Sequence, residues 1–122
     1  AEQLECFMSI FTAVATVEFI DSKVFSVAGD MSGCGPAFVA MFIEALGDAG
    51  VKYGLKRDVA YRLASKVVSG TGELQMATGA HPAVMKDAVC SPGGTTIKGV
   101  TSLENSGFRS AVIKAIDAIE NK

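Results

Sequence analysis

The sequence has 122 residues, 49% apolar and 20% charged, with a formal net charge of −2 and a pI near 5.3. That length allows one domain with a core but not two. The mild acidity, without a basic run, leaves no electrostatic footprint for nucleic acid or an anionic membrane surface.

In chain order, "EQLECFMSIF" sets Leu4, Phe7, Met8 and Phe11 at helical spacing and predicts an amphipathic helix. "TVEFI" (16–20) alternates, is β-branched and aromatic, and predicts a short strand. No second strand is predicted, so its backbone needs a ladder partner from elsewhere. With an opening "AEQLECF" and no initiator Met, the front of the chain reads as part of something larger.

From Asp21 every segment predicts helix. "DSKVFSVAG" (21–29) carries an Asp cap and a Gly stop, and the helix of 35–54 then starts with Pro36 at its first position and ends at Gly54. Residues 58–79 place Val59, Ala60, Leu63, Ala64, Val67, Val68, Thr71 and Leu74 on one stripe. "HPAVMKDAV" (81–89) is a short helix with His81 as a loop or capping residue, "PGGTTIKGVTSLEN" (92–105) another, and "GFRSAVIKAIDAIENK" closes the chain. The architecture predicted is an all-α bundle preceded by a stray helix and strand.

The helix of 36–51 has only Glu44 and Asp48 as charges, four residues apart on one stripe. A helix apolar almost all round is buried almost all round. Pairing with a second copy supplies that cover more readily than six helices of one chain, so a homodimer is expected. Gly47 and Gly50, with Ala40 and Ala45, let backbones approach closely.

Cys6, Cys34 and Cys90 are odd in number, far apart and without a Cys-x-x-Cys, and read as free thiols of a cytosolic protein. A single His leaves no metal set or Ser-His-Asp triad to build on, so no metal is expected. The most apolar run, "PAFVAMFI" (36–43), is too short to cross a bilayer, and no signal peptide is read.

Two segments could hold a ligand. In "CSPGGTT", Ser91 can cap a helix with Pro92 at its first position, which puts Gly93 and Gly94 in the first turn. There the N–H groups lack intrahelical partners and attract a carboxylate or phosphate. Without Cβ atoms nothing keeps the anion off, and Thr95 and Thr96 add hydroxyls. A tight interhelical elbow explains the glycines equally well. "DMSGCGPAF" (30–38) is a second bare helix start, with Ser32 as its cap, for which a structural role is favoured. No Gly-rich nucleotide fingerprint or nucleophile elbow is present.

"MSGCGPAFVAMFIEALGDAGVKYGL" and "HPAVMKDAVCSPGGTTIKGVTSLENSGFRSAVIKAI", with the helix between them, resemble the C-terminal dimerisation domain of pyrroline-5-carboxylate reductase. The likeness spans about 21 to 119. It implies a helical bundle similar to the 6-phosphogluconate dehydrogenase C-terminal-like dimerisation domain over 21–122. Residues 1–20 would then be a remnant of a Rossmann-type NAD(P)-binding domain. It further implies reduction of Δ1-pyrroline-5-carboxylate to L-proline with hydride from NADPH or NADH, the cofactor being held mainly by that other domain. A cytoplasmic homodimer follows, with assembly of dimers into larger oligomers left open.

Carried over by position, the substrate carboxylate would lie near Ser91, Gly93, Gly94 and Thr95. The Thr96 hydroxyl would face the ring nitrogen, for orientation rather than proton donation, and Val89 and Cys90 would line the approach. Ser32 and Cys34 would be this chain's only contributions toward the cofactor. Cys34 stands where the family more usually has Ser, and Gly79 where some members have Glu. Two other readings stay open: a non-catalytic oligomerisation or carboxylate-binding module, and the helical half of another β-hydroxyacid-dehydrogenase-like oxidoreductase.

Overall fold

The computed structural model describes residues 1–121. Lys122, the end of the predicted last helix, lies outside the described residues. The described residues form six α-helices, α1 (Glu2–Phe11), α2 (Phe25–Lys52), α3 (Arg57–Thr78), α4 (Pro82–Ala88), α5 (Thr95–Asn105) and α6 (Phe108–Glu120), with one 3₁₀ turn at Ser22–Val24. No strand forms among the described residues. Residues 16–20 have no regular structure because nothing in this chain pairs with them, as a ladder requires.

The largest departure from expectation is α2. Asp21 caps the 3₁₀ turn as predicted, accepting from the Lys23 N–H at 2.8 Å. The helix then runs through Gly29 without stopping and takes Pro36 into its interior. Pro36 is therefore not a first-position proline, and "DMSGCGPAF" is not a helix start. Ser32 caps nothing: its hydroxyl donates back to the carbonyls of Ala28 and Gly29 at 3.0 and 3.2 Å. An interior proline costs about 3 kcal/mol because it has no N–H for the carbonyl four residues back. α6 meets α2 on either side of Pro36 along the sequence, Phe108 at Phe42 and Glu120 at Ser26.

α2 and α3 form the main hairpin. α2 ends in a Schellman turn, with Leu55 N–H bonded to Gly50 O and Gly54 N–H to Val51 O, both at 3.0 Å, around Gly54 at φ +97°. Beyond it Asp48, Arg57 and Tyr61 interlock: Arg57 donates to Asp48 at 2.6 Å and to the Tyr61 oxygen at 2.7 Å, and Tyr61 donates to Asp48 at 3.0 Å. The bonds from Arg57, then Tyr61, hold the Asp48 carboxyl below its ordinary value. What the cluster contributes is present above the ordinary carboxylate pKa and is lost as pH falls through the depressed one. Its exposure keeps the contribution small.

The Tyr61 ring packs against α2 where Gly47 has no side chain, and a Cβ there would overlap its Cδ1 and Cε1 atoms. Because the hydroxyl is tied to both neighbours, the ring cannot simply swing away. Gly47→Ala should therefore cost about 1–3 kcal/mol of stability by overpacking. Chemical denaturation reads this directly, and an unchanged midpoint would contradict the packing described.

The core of a single protomer is slight. Among the described residues, Ala60 and Ala64 are the only buried apolar side chains. Half the predicted α3 stripe is uncovered, with Leu63, Val67 and Leu74 more than 50% exposed. Val39, Met41, Phe42 and Leu46 on α2 are open as well. The accessible surface is 9604 Å² for 12.6 kDa, whereas a compact monomer of that mass exposes about 6,200 Å². α2 is thus not enclosed by its own chain, and the uncovered apolar area is that of a subunit.

Joined to the 3₁₀ turn, α2 is long and apolar enough by composition to cross a bilayer. It carries Asp30, Glu44 and Asp48, and its Asp48 is engaged with α3. This length was hidden in the sequence because Gly29 and Pro36 cut the apolar run short.

Candidate functional site

The segment between α4 and α5 begins at His81, whose Nδ1 accepts the Ala83 N–H at 3.1 Å and caps α4. Pro82 follows at the first helical position. α4 closes with Val89 and Cys90 donating to the carbonyls of Lys86 and Asp87. Val89 is 65% exposed and Cys90 half-buried. All three cysteines are free thiols.

The SPGG stretch is a turn and not yet a helix. Gly94 N–H bonds to Ser91 O at 3.0 Å, with Pro92 and Gly93 as the two central residues and Gly93 at φ +69°. Pro then a positive-φ Gly is the signature of a type II turn. α5 starts only at Thr95, with Gly94 as its extended N-cap at φ −72°, ψ 175°. Ser91 is therefore not the helix cap, and Gly93 and Gly94 are not in the first helical turn. The Gly94 N–H is spent inside the turn and cannot serve an anion.

The groups left over are the N–H donors of Thr95, Thr96 and Ile97, the first turn of α5, which have no intrahelical acceptor. They face outward at the positive end of an eleven-residue helix. The hydroxyls of Thr95 and Thr96 make no hydrogen bond among the described residues, and both residues are exposed. The helix start lies three residues later than the sequence suggests, and its first turn is Thr95, Thr96 and Ile97 in place of bare glycines.

Gly94 is constrained by the turn itself: a Cβ there would collide with Ser91 Oγ and stand 3.1 Å from Ser91 O. Its lack of a side chain is a requirement of the elbow, whatever else it permits.

One feature escapes the sequence reading. Lys86 is paired with Asp87 at 2.6 Å, and this bond raises its pKa. Arg109, at the start of α6, pairs with Glu104 near the end of α5 at 2.5 Å. Adjacent Lys86 and Asp87 read as solvated charges; Glu104 and Arg109 fall in the segment that carries the family resemblance, but their pairing was not read from it. An open, largely apolar groove of about 780 Å³ between α3 and α4, flanked by Leu74, Gln75, Met85 and Val89, leads up to the turn.

Ser32 and Cys34 lie within α2, away from any helix end. They offer no bare N–H groups for a pyrophosphate, and Ser32's hydroxyl is already occupied. Among the described residues no three His, Cys, Asp or Glu side chains converge as a metal set would.

An all-helical chain with a slight core and wide uncovered apolar faces has the make-up of a dimerisation domain. Residues 22–122 match the family described as pyrroline-5-carboxylate reductase dimerisation, and the chain belongs to that family. It is 54% identical to the pyrroline-5-carboxylate reductase of Treponema pallidum over 91% of this chain and 42% of that protein. It is 50% identical to the Synechocystis enzyme over 96% of this chain and 44% of that one.

Among solved structures, the Coxiella burnetii pyrroline-5-carboxylate reductase superposes with a TM-score of 0.88 at 31% identity, over 96% of this chain and 44% of that one. The Plasmodium falciparum pyrroline carboxylate reductase with NADP bound gives 0.85 at 36% identity, over 97% and 48%. The chain thus spans a little over two fifths of the length of the curated relatives it matches.

Proposed function

We propose that this chain is the dimerising, substrate-binding part of a cytoplasmic pyrroline-5-carboxylate reductase, which reduces Δ1-pyrroline-5-carboxylate to L-proline. Residues 1–20 then end the cofactor domain and 21–122 form the helical domain. The observation that carries this reading is the start of α5: three unpartnered N–H groups beside two free threonine hydroxyls. When bound, NADPH or NADH supplies the hydride. The residues present do not fit its pyrophosphate, so its binding belongs outside this chain and no step is assigned to Ser32 or Cys34.

The chain's own part is to hold the substrate still. The carboxylate rests on the Thr95, Thr96 and Ile97 N–H groups, each charge-assisted bond contributing about 1.5–3 kcal/mol. Ser91, Gly93 and Gly94 form the elbow that aims α5, and Val89 and Cys90 line the approach. The Thr96 hydroxyl accepts from the N–H of the protonated ring and fixes the ring's rotation. An alcohol is too weak an acid to protonate an imine at neutral pH, so the ring arrives protonated and the gain is positional. The unenclosed surface around the turn in one protomer supports a pocket completed by a second copy.

Titrating the chain with L-proline while following backbone amide resonances tests the site. Shifts should centre on Thr95, Thr96 and Ile97 and shrink several-fold in Thr96→Val. Shifts confined to other helices would overturn the assignment and favour a bare oligomerisation module. Calorimetry with NADPH should show little heat, because no dinucleotide loop is present in this sequence; sub-micromolar binding would refute the division of labour.

A further inference from the structure

α4 is a short strut between two elbows. Behind it α3 ends at Gly79, whose φ of +63° turns the chain, and ahead of it Ser91 opens the SPGG turn. At the first elbow Ala80 is held by both its backbone groups. Its N–H donates to Thr78 Oγ1 and its carbonyl accepts from Gln75 Nε2, each at 3.2 Å. His81 therefore enters α4 in a set pose, extended at ψ 133°.

The donors of the first turn of α4 can all be accounted for. Pro82 has no N–H. Those of Val84 and Met85 go to the His81 carbonyl at 2.9 and 3.2 Å. Only the Ala83 N–H depends on a side chain, Nδ1 of His81 at 3.1 Å. To accept that bond Nδ1 must keep its lone pair, so the ring proton sits on Nε2. A second proton would turn Nδ1 into a donor. Two N–H groups would then face each other, with an imidazolium charge at the positive end of the helix. All these bonds lie within one continuous stretch, Gln75 to Met85, and do not depend on what covers the protomer.

We propose that His81 is a proton-sensitive positioning residue. With Nδ1 bare it seats α4, and through α4 the SPGG elbow and the start of α5; on protonation it releases them. The functional half of this rests on the substrate site proposed above at α5. A histidine changes charge between about pH 5 and 8, and His81 is the single histidine of the sequence. Its neighbours across the elbow, Gln75 and Thr78, are uncharged, and the last charge on α3 is Glu73. On α4 the charges are Lys86 and Asp87, paired with each other in the last turn. The cap is thus present at the alkaline end of that range and is lost as pH falls.

Amide resonances of the assembled chain, followed across that range, test the cap. Ala83 should move most, with the rest of α4 following. His81→Asn, a cap that does not titrate, should hold both still. In the complete reductase, the KM for Δ1-pyrroline-5-carboxylate is taken relative to His81→Asn at each pH, which cancels the ionisation of the substrate itself. That ratio should rise about fivefold toward the acid end, the factor a lost cap represents, with kcat little changed. His81→Ala should show the raised KM already at the alkaline end. An Ala83 resonance that stays still in the unaltered chain would overturn the proton-sensitive cap wherever the substrate binds. A ratio flat across the range, or His81→Asn no better than His81→Ala at the alkaline end, would overturn the positioning role. If Ala83 moves as expected and L-proline leaves α5 untouched, the cap stands and the substrate site falls.

Discussion

Replacing Ala40 by Glu should abolish the stable dimer and leave little soluble, folded protein. Ala40 is exposed in one protomer, with Val39, Met41 and Phe42 beside it, 43, 67 and 38% exposed. These side chains have no cover within their own chain, and the family to which the chain belongs is one of dimerisation. A carboxylate placed there must enter the interface unpaired, at a cost of several kcal/mol. That is comparable to the whole stability of a small domain. Ala40→Leu, which keeps the surface apolar, should do far less harm. Sedimentation equilibrium with circular dichroism checks both variants. The proposal would fail if the Glu variant dimerised normally, or if the unaltered chain were a well-folded monomer at micromolar concentration.

In the complete reductase, Thr96→Val should lower kcat/KM by about 10–100-fold, or about 1.4–2.7 kcal/mol of transition-state stabilisation, with thermal stability unchanged. The substitution keeps shape and removes a hydroxyl that holds no structural bond. Gly94→Val discriminates poorly, because its side chain strikes Ser91 and strains the turn as well as blocking an anion. Gly93→Ala is structural in the same way, since φ +69° penalises any Cβ. Normal kinetics in a folded Thr96→Val enzyme would remove the site, leaving SPGG as an elbow only.

The sequence made most helices plain because their apolar periodicity is long and their ends carry strong signals, such as Gly54, Gly79 and the His81 cap. It misled where a local signal met a tertiary one. Pro36 behind Gly35 has the form of a helix start, yet α2 runs through it. In SPGGTT the same preference for an early proline pointed to Ser91 as cap. A Pro-Gly pair satisfies a type II turn just as well, and only the left-handed Gly93 decides between them. Residues 16–20 have strand character without a partner, so composition alone could not say whether a strand forms.

The slight core of the protomer has a consequence for how this protein lives in solution. When most apolar surface is shared with a second copy, dilution acts as a denaturant, and each tenfold fall in concentration takes about 1.4 kcal/mol from the assembled state. The melting temperature then belongs to a concentration and not to the chain alone. Refolding should be second order once the α2–α3 hairpin has closed, with partner encounter setting the pace. A cell carrying one damaged and one sound allele would make mixed pairs, so a single bad interface could disable sound subunits too.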